Sequence, residues 1–348
     1  VDKYLIFAPL LAEKIAVYDL ETASIFYLPL KVMEYMYTEK EDEAKFWNVF
    51  RVCSDVYLLG YSYPAIVKID IKSMKVTYIT DWLDEVHGSI RHGSECGYFG
   101  DGQVFSGDLV FIPLVCTNAV LELNTQTLST KIIKLNIPME GIGGISSIEG
   151  EIIWMVGRGK RTDRIVCWDR KTGDIKKFFV PDLSEDMLKP FYAPICTRHK
   201  LFLLPISAQC IYEMDMSAGN IKKSEILLEE FENTGEQLWP DGRTMAVKLQ
   251  GNILYFLTCA DLKWHQLDIQ TGKIESYFID WKEKEEEVRQ YFKTVYSKFL
   301  LKKALFSEKN FPLKYFVSAI VEMKIKDIGR QNKELLDGRM IYERVCKR

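Results

Sequence analysis

The usual signatures of catalysis are missing from this chain, and histidine is scarce. Its 348 residues hold four histidines and no P-loop, GxGxxG, HExxH or nucleophile elbow. The motif-based routes to phosphate cradles, dinucleotide binding, zinc peptidase and serine hydrolase chemistry are therefore closed. Eight cysteines are present without a single CxxC, and most sit in apolar runs, where Cys behaves as a small hydrophobe. Reduced core thiols and a cytoplasmic location are expected. No secretory signal is expected, and no apolar run reaches about 18 residues, so no transmembrane segment is expected either. A basic excess is also lacking: the net charge is −3, which argues against nucleic acid as a partner.

What is present is a 47% hydrophobic chain, able to bury one large core or two smaller ones. Its charge is unevenly spread. Residues 281–348 carry 17 basic against 10 acidic groups, a surplus of 7 that leaves the first 280 residues at −10. A basic tail on an acidic body suggests that the two touch, or that the tail meets an anionic partner.

An internal repeat organises the first 280 residues. Six segments align: "KIAVYDLETASIFYLPL", "AIVKIDIKSMKVTYIT", "AVLELNTQTLSTKIIKLN", "RIVCWDRKTGDIKKFFV", "CIYEMDMSAGNIKKSEILL" and "LKWHQLDIQTGKIESYFI". Each reads as an alternating strand, a four-residue turn and a second alternating strand. The turn opens on Asp19, Asp70, Asn124, Asp169, Asp215 and Asp268, at spacings of 51, 54, 45, 46 and 53 residues. Asp and Asn can accept the backbone N–H two residues on, and Gly supplies positive φ where present, so these six side chains form turns and not a carboxylate cluster.

A further apolar run precedes each hairpin, and five units show one more before that, giving four antiparallel strands per unit of about 50 residues. Such a unit cannot cover both faces of its own sheet, so neighbours must stack. On these repeats the chain resembles the β-propeller superfamily, in the style of kelch, WD40 and quinoprotein-type blades; the "CWD" at Cys167–Asp169 is similar to the WD dipeptide. The expected fold is all-β, a six-bladed propeller of four-stranded blades over residues 1–280. The inner strand of the first blade is expected to lie before Val1 or to come from elsewhere in the chain. Residues 281–348 are expected to form a helical extension packed on the propeller. Val288, Tyr291, Phe292, Val295, Phe299 and Leu300 recur there at helical spacing, with acidic residues early and basic residues late. A second helix is expected from Pro312 to before Gly329, and a short third one at the end.

In propellers generally, the loops that join successive blades and the middle strands lie on the face that carries function. "VHGSIRHGSECGYFGDG", Val86 to Gly102, joins the second and third units and so belongs on that face. It holds His87, Arg91, His92, Glu95 and Cys96. A zinc reading with His87, His92 and Glu95 or Cys96 matches no ligand spacing, and no metal or cofactor is expected. Other loops of this face bring Tyr35, Tyr37, Tyr61, Tyr63, Trp82, Tyr192 and Trp239 toward Arg158, Arg161 and Arg243. Aromatic faces beside forked donors suit sugars, peptides or acidic groups, although the same aromatics can simply plug gaps between blades. "GIGG", Gly141 to Gly144, is too short for a phosphate loop and reads as a turn close to the channel.

The expected ligand site is thus Arg91, His92, Glu95, Arg158, Trp239 and Arg243. The expected function is a non-catalytic scaffold, a monomer that binds a protein, peptide or carbohydrate at the channel mouth. Two other readings stay open: a lyase or hydrolase with His87 or His92 as acid–base, and an adaptor whose basic tail docks a partner or an anionic membrane.

Overall fold

The computed structural model describes residues 3–10, 12–33, 45–87, 97–137, 139–158, 164–183, 189–208, 210–225, 244–258 and 263–278. The expected helical extension at 281–348 lies outside the described residues. Within them the chain forms six antiparallel sheets, one after another in sequence. The first has three strands: β1 (Tyr4–Phe7), β2 (Lys14–Asp19) and β3 (Ser24–Pro29). The second has β4 (Phe46–Val52), β5 (Asp55–Gly60), β6 (Ile66–Asp70) and β7 (Lys75–Ile79). A five-residue helix α1 (Leu83–His87) opens the connection to the third sheet, β8 (Val104–Ser106), β9 (Leu109–Pro113), β10 (Ala119–Asn124) and β11 (Thr130–Lys134). The fourth holds β12 (Gly141–Ser146), β13 (Ile152–Arg158), β14 (Arg164–Asp169) and β15 (Ile175–Phe179). The fifth holds β16 (Ile195–Cys196), β17 (Lys200–Leu203), β18 (Tyr212–Asp215) and β19 (Ile221–Lys223). The sixth holds β20 (Thr244–Gln250), β21 (Ile253–Thr258), β22 (Lys263–Asp268) and β23 (Ile274–Phe278).

Every strand pairs with the next in sequence, so each sheet is a meander. The sheets cover one another face to face. In β5, Tyr57 and Leu59 enter one apolar cluster with residues of the third sheet, whereas Val56 and Leu58 enter another with residues of the first. In β13, Ile153 and Met155 face the third sheet, while Trp154 and Val156 face the fifth. The period of two that puts alternate side chains on opposite faces thus supplies two cores from one strand. This is why the second strand of a unit reads as an unbroken apolar run, whereas the outermost strand, as in β15, carries exposed lysines. Five such cores lie between successive sheets among the described residues. The result is a six-bladed β-propeller. Its first blade lacks an inner strand among the described residues, as the sequence suggested.

The six hairpin turns share one geometry. One side-chain oxygen of Asp19, Asp70, Asn124, Asp169, Asp215 or Asp268 accepts the backbone N–H groups two and three residues on, at 2.8–3.3 Å. Four residues on, the chain is left-handed in all six: Ala23, Met74 and Leu128 as well as Gly173, Gly219 and Gly272. Only three of the six units place glycine where the backbone wants it.

"GIGG" corrects one expectation. It is no turn but the start of β12, the inner strand of the fourth blade. A Cβ on Gly144 would sit 2.6 Å from the Ala193 Cα of the next blade, so glycine here permits close approach of two backbones and not a change of direction.

Candidate functional site

In each blade the chain runs along the inner strand, back along the second, out along the third and back along the fourth. The turn between the two middle strands and the connection to the next blade therefore share one face. Five residues on that face meet across the ring: Trp47 at the start of β4, Tyr61 just after β5, Asp101 before β8, Arg158 at the end of β13 and Lys189 in the connection leading to β16.

Asp101 is the centre of the group and is only 1% exposed. Its backbone is fixed by pairing with the neighbouring inner strand: Asp101 N–H donates to the Gly143 carbonyl at 2.8 Å, and Ile145 N–H donates to the Asp101 carbonyl at 3.0 Å. The Trp47 indole N–H donates to Asp101 Oδ1 at 3.0 Å. Lys189 Nζ lies 2.6 Å from Asp101 Oδ2 and 5.7 Å from the centre of the Trp47 ring. A buried carboxylate is costly unless compensated, and here one cation and one indole compensate it. Asn48 adds a long amide contact to the Gly100 carbonyl at 3.4 Å, tying β4 to the same segment.

The aromatic part is a shelf. The Trp47 and Tyr61 rings stand 6.0 Å apart, tilted by 43°. Arg158 donates to the Tyr61 hydroxyl at 2.9 Å, with its guanidinium 5.7 Å from the centre of that ring. Each aromatic is thus accompanied by a cation, an arrangement that favours the ring face electrostatically and limits its motion. Trp47 is the extra residue of a β-bulge between Phe46 and Asn48 against β5, and its side chain stays 40% exposed. Bulges of this kind re-aim a side chain that regular pairing would bury.

Topology places the cluster on the axis. Lys189 belongs to the connection between the fourth and fifth blades, Trp47 to the second, and in a ring of six the second and fifth blades stand opposite. Arg158 of the fourth blade reaches Tyr61 of the second past the third. Side chains from opposite blades can meet only over the channel. Tyr192, which follows Lys189, has its phenol pushed well above the ordinary tyrosine value, by burial first and by the Asp101 carboxylate second.

Of the residues expected from the sequence, Arg158 takes its place here, beside Tyr61. Tyr61 and Tyr192 also fall in or beside the cluster. Tyr63 and Trp82 are 1% exposed and fill gaps between blades. Arg91, His92, Glu95, Trp239 and Arg243 lie outside the described residues. His87 ends α1 on the same face, and its side chain is outside the described ones. His265 is a core residue, held between the Thr258 hydroxyl at 2.7 Å and the Ser276 hydroxyl at 2.9 Å and stacked on Phe256. Among the described residues no group of three His, Cys, Asp or Glu could hold a metal, and no helix is long and apolar enough to cross a membrane. No sequence motif marks Trp47, Asp101 or Lys189 as site residues. The one local signal was the "GDG" that closes the long second-to-third connection, an acidic residue between two glycines.

The fold defines the class: the chain is a six-bladed β-propeller. No protein-family model matches it, and no curated protein matches it in sequence. Among solved structures it is similar to a streptogramin B lyase, with TM-score 0.54 and 13% identity over 80% of each chain. It is also similar to virginiamycin B lyase from Staphylococcus aureus, with TM-score 0.55 and 15% identity over 80% of this chain and 82% of that one. A chain of a nidogen/laminin complex aligns with TM-score 0.48 and 14% identity over 79% of this chain and 93% of that one. At these identities the likeness extends to the fold alone.

Proposed function

We propose that the chain is a binding scaffold and that the axial face is where it engages a protein or peptide partner. The observation that carries this reading is Trp47. It is a large aromatic, 40% exposed over the channel, whose indole N–H and ring are both held, by Asp101 and Lys189. Pre-organised aromatics of this kind are what binding hot spots are made of, because little side-chain freedom is lost when a ligand covers them. The one described carboxylate of the cluster is spent on positioning, which supports binding over proton transfer at this spot. A stacked sugar would use the same shelf, so carbohydrate remains part of the proposal. The five described cysteines, Cys53, Cys116, Cys167, Cys196 and Cys210, are thiols and not disulfides, which supports a cytoplasmic location.

The test is a selection of peptides from a displayed random library, run beside a glycan array. Bound sequences or sugars should lose about tenfold or more in affinity against Trp47→Ala, in line with a hot-spot truncation. Ligands that bind Trp47→Ala and Tyr61→Ala as well as the unmodified protein would overturn the reading. Lyase or hydrolase chemistry with His87 or His92 as acid–base is the second reading, favoured by the position of His87 at the end of α1 on this same face. Turnover of an array compound that disappears in His87→Ala or His92→Ala would decide for it.

A further inference from the structure

The outermost strand of a propeller blade presents unpaired backbone to solvent, and such edges are commonly blunted with lysine. Here β7 carries Lys75, β11 carries Lys131 and Lys134, β15 carries Lys176 and Lys177, and β19 carries Lys222 and Lys223, all exposed. The outer strand of the sixth blade, β23, carries the exposed Glu275. The outer strand of the first blade does not follow this pattern. From Ser24 to Leu28, β3 has no charged residue, and Tyr27 is 57% exposed.

We propose that β3 is a docking edge for a second copy of this chain, which it pairs with antiparallel across a two-fold axis through Phe26. The register follows from the hairpin. In the matching turns the residue that opens the turn bonds the one five positions later: Asn124 N–H to the Ser129 carbonyl, Asp169 to Asp174 and Asp268 to Lys273. The same pair in the first blade is Asp19 and Ser24. Bonded and non-bonded pairs alternate along an antiparallel ladder, so Phe26 and Leu28 bond inward to β2 while the N–H and C=O of Ile25 and Tyr27 point away from it. Pro29, with no N–H, bounds the edge at one end and the turn bounds it at the other.

A two-fold through Phe26 sets Ile25 opposite Tyr27 of the partner subunit and Tyr27 opposite Ile25 of the partner subunit. Each of the two pairs exchanges two backbone hydrogen bonds and matches a β-branched side chain with an aromatic one, a favourable cross-strand combination. The strand is therefore neutral along its length, and its outward-bonding pairs are self-complementary about Phe26. On the lysine-bearing outer strands self-pairing would gather like charges. Four backbone bonds and a few side chains make a small interface, so association is reversible and weak. This replaces the monomer expected from the sequence and is independent of the axial site.

The test is sedimentation velocity on the full chain from low micromolar to several hundred micromolar protein, where the weight-average mass should rise toward that of a dimer. Two double variants then probe the register. Ile25→Lys with Tyr27→Lys places like charges directly opposite and should weaken association about tenfold or more; Ile25→Lys with Tyr27→Glu places opposite charges there and should restore it. Both remove the same apolar pair, so their difference reports pairing and not folding. Hydrogen exchange on the unmodified protein gives a second readout: the Ile25 and Tyr27 amides should exchange more slowly as concentration rises. A sedimentation coefficient that stays monomeric over the whole range overturns the proposal, as does indifference of association to both variants. A monomer whose β3 amides are protected only by an added extended peptide would show that another chain takes this edge, and would overturn it too.

Discussion

Replacing Lys189 with methionine should expose how much the axial cluster depends on one cation. Asp101 is 1% exposed, with Lys189 Nζ at 2.6 Å and the Trp47 indole at 3.0 Å. Methionine keeps much of the lysine stem, so Lys189→Met removes a charge while leaving most of the packing. Breaking a buried pair from one side costs about 3–5 kcal/mol, since the remaining ion is left uncompensated. The Lys189 side chain is 20% exposed, which places the loss at the lower end, about 3 kcal/mol. Domains of about 150–250 residues shift by roughly 2–4 °C per kcal/mol, so the melting temperature should fall by about 6–12 °C. Asp101→Asn keeps an acceptor for Trp47 and leaves a cation that still reaches solvent, at a smaller cost of about 1–2 kcal/mol. The double substitution should then cost clearly less than the sum, with a coupling above about 1 kcal/mol. Thermal melts of the four proteins complete the cycle. Additive losses, or a Lys189→Met that melts within about 1 kcal/mol of the unmodified protein, would refute the view that this pair holds Trp47.

Further outcomes are expected from the turns, the carboxylates, the thiols and the tail. Gly272, at φ +73°, has open space where a Cβ would go, so Gly272→Ala should cost about 1–2 kcal/mol through backbone conformation alone; Ala23→Gly, in the same left-handed position, should raise the melting temperature. Backbone N–H donation from Thr172 and Thr271 leads in holding Asp169 and Asp268 below the ordinary carboxylate value, and hydroxyl donation from Ser73 and Ser217 leads in doing so for Asp70 and Asp215. A carboxylate whose value is depressed in the folded state stabilises above its unfolded value and loses that contribution as pH falls through the folded one; urea midpoints should hold steady down to about pH 5 and decline below about pH 4. All eight cysteines should react in denaturant without reductant, and six or fewer reactive thiols would count against a cytoplasmic location. Deleting residues 281–348 should lower the melting temperature if the tail packs on the propeller, whereas an unchanged melt would assign the tail to a partner.

Local chemistry made the fold legible and left the site obscure, for the same reason. A turn such as Asp169 to Asp174 is written in six consecutive residues, and its carboxylate reaches only as far as Lys171 and Thr172. Alternation within β13 likewise needs nothing outside the strand to assign Ile153 and Trp154 to opposite faces. The repeat then multiplies each weak signal by six. The axial cluster has no such redundancy. Trp47 and Asp101 are 54 positions apart, and Arg158 and Tyr61 are 97 apart; each contact is made once, and the second reaches past a whole blade. Trp47 sits on a bulge, which breaks the period by which a strand residue is assigned to a face, so its alternation carried no warning that it would turn outward. Asp101 was hidden differently, in a connection whose histidines drew the chemical argument away from a carboxylate with no partner nearby in sequence. What decides the site is which side chains the closed ring brings to its axis. A histidine count or a motif search, both properties of neighbouring residues, cannot report on that. Ala23, Met74 and Leu128 hold their left-handed conformations on the same ground. No local preference of those residues would choose it, and they adopt it because the two strands that each joins are already held between neighbouring blades.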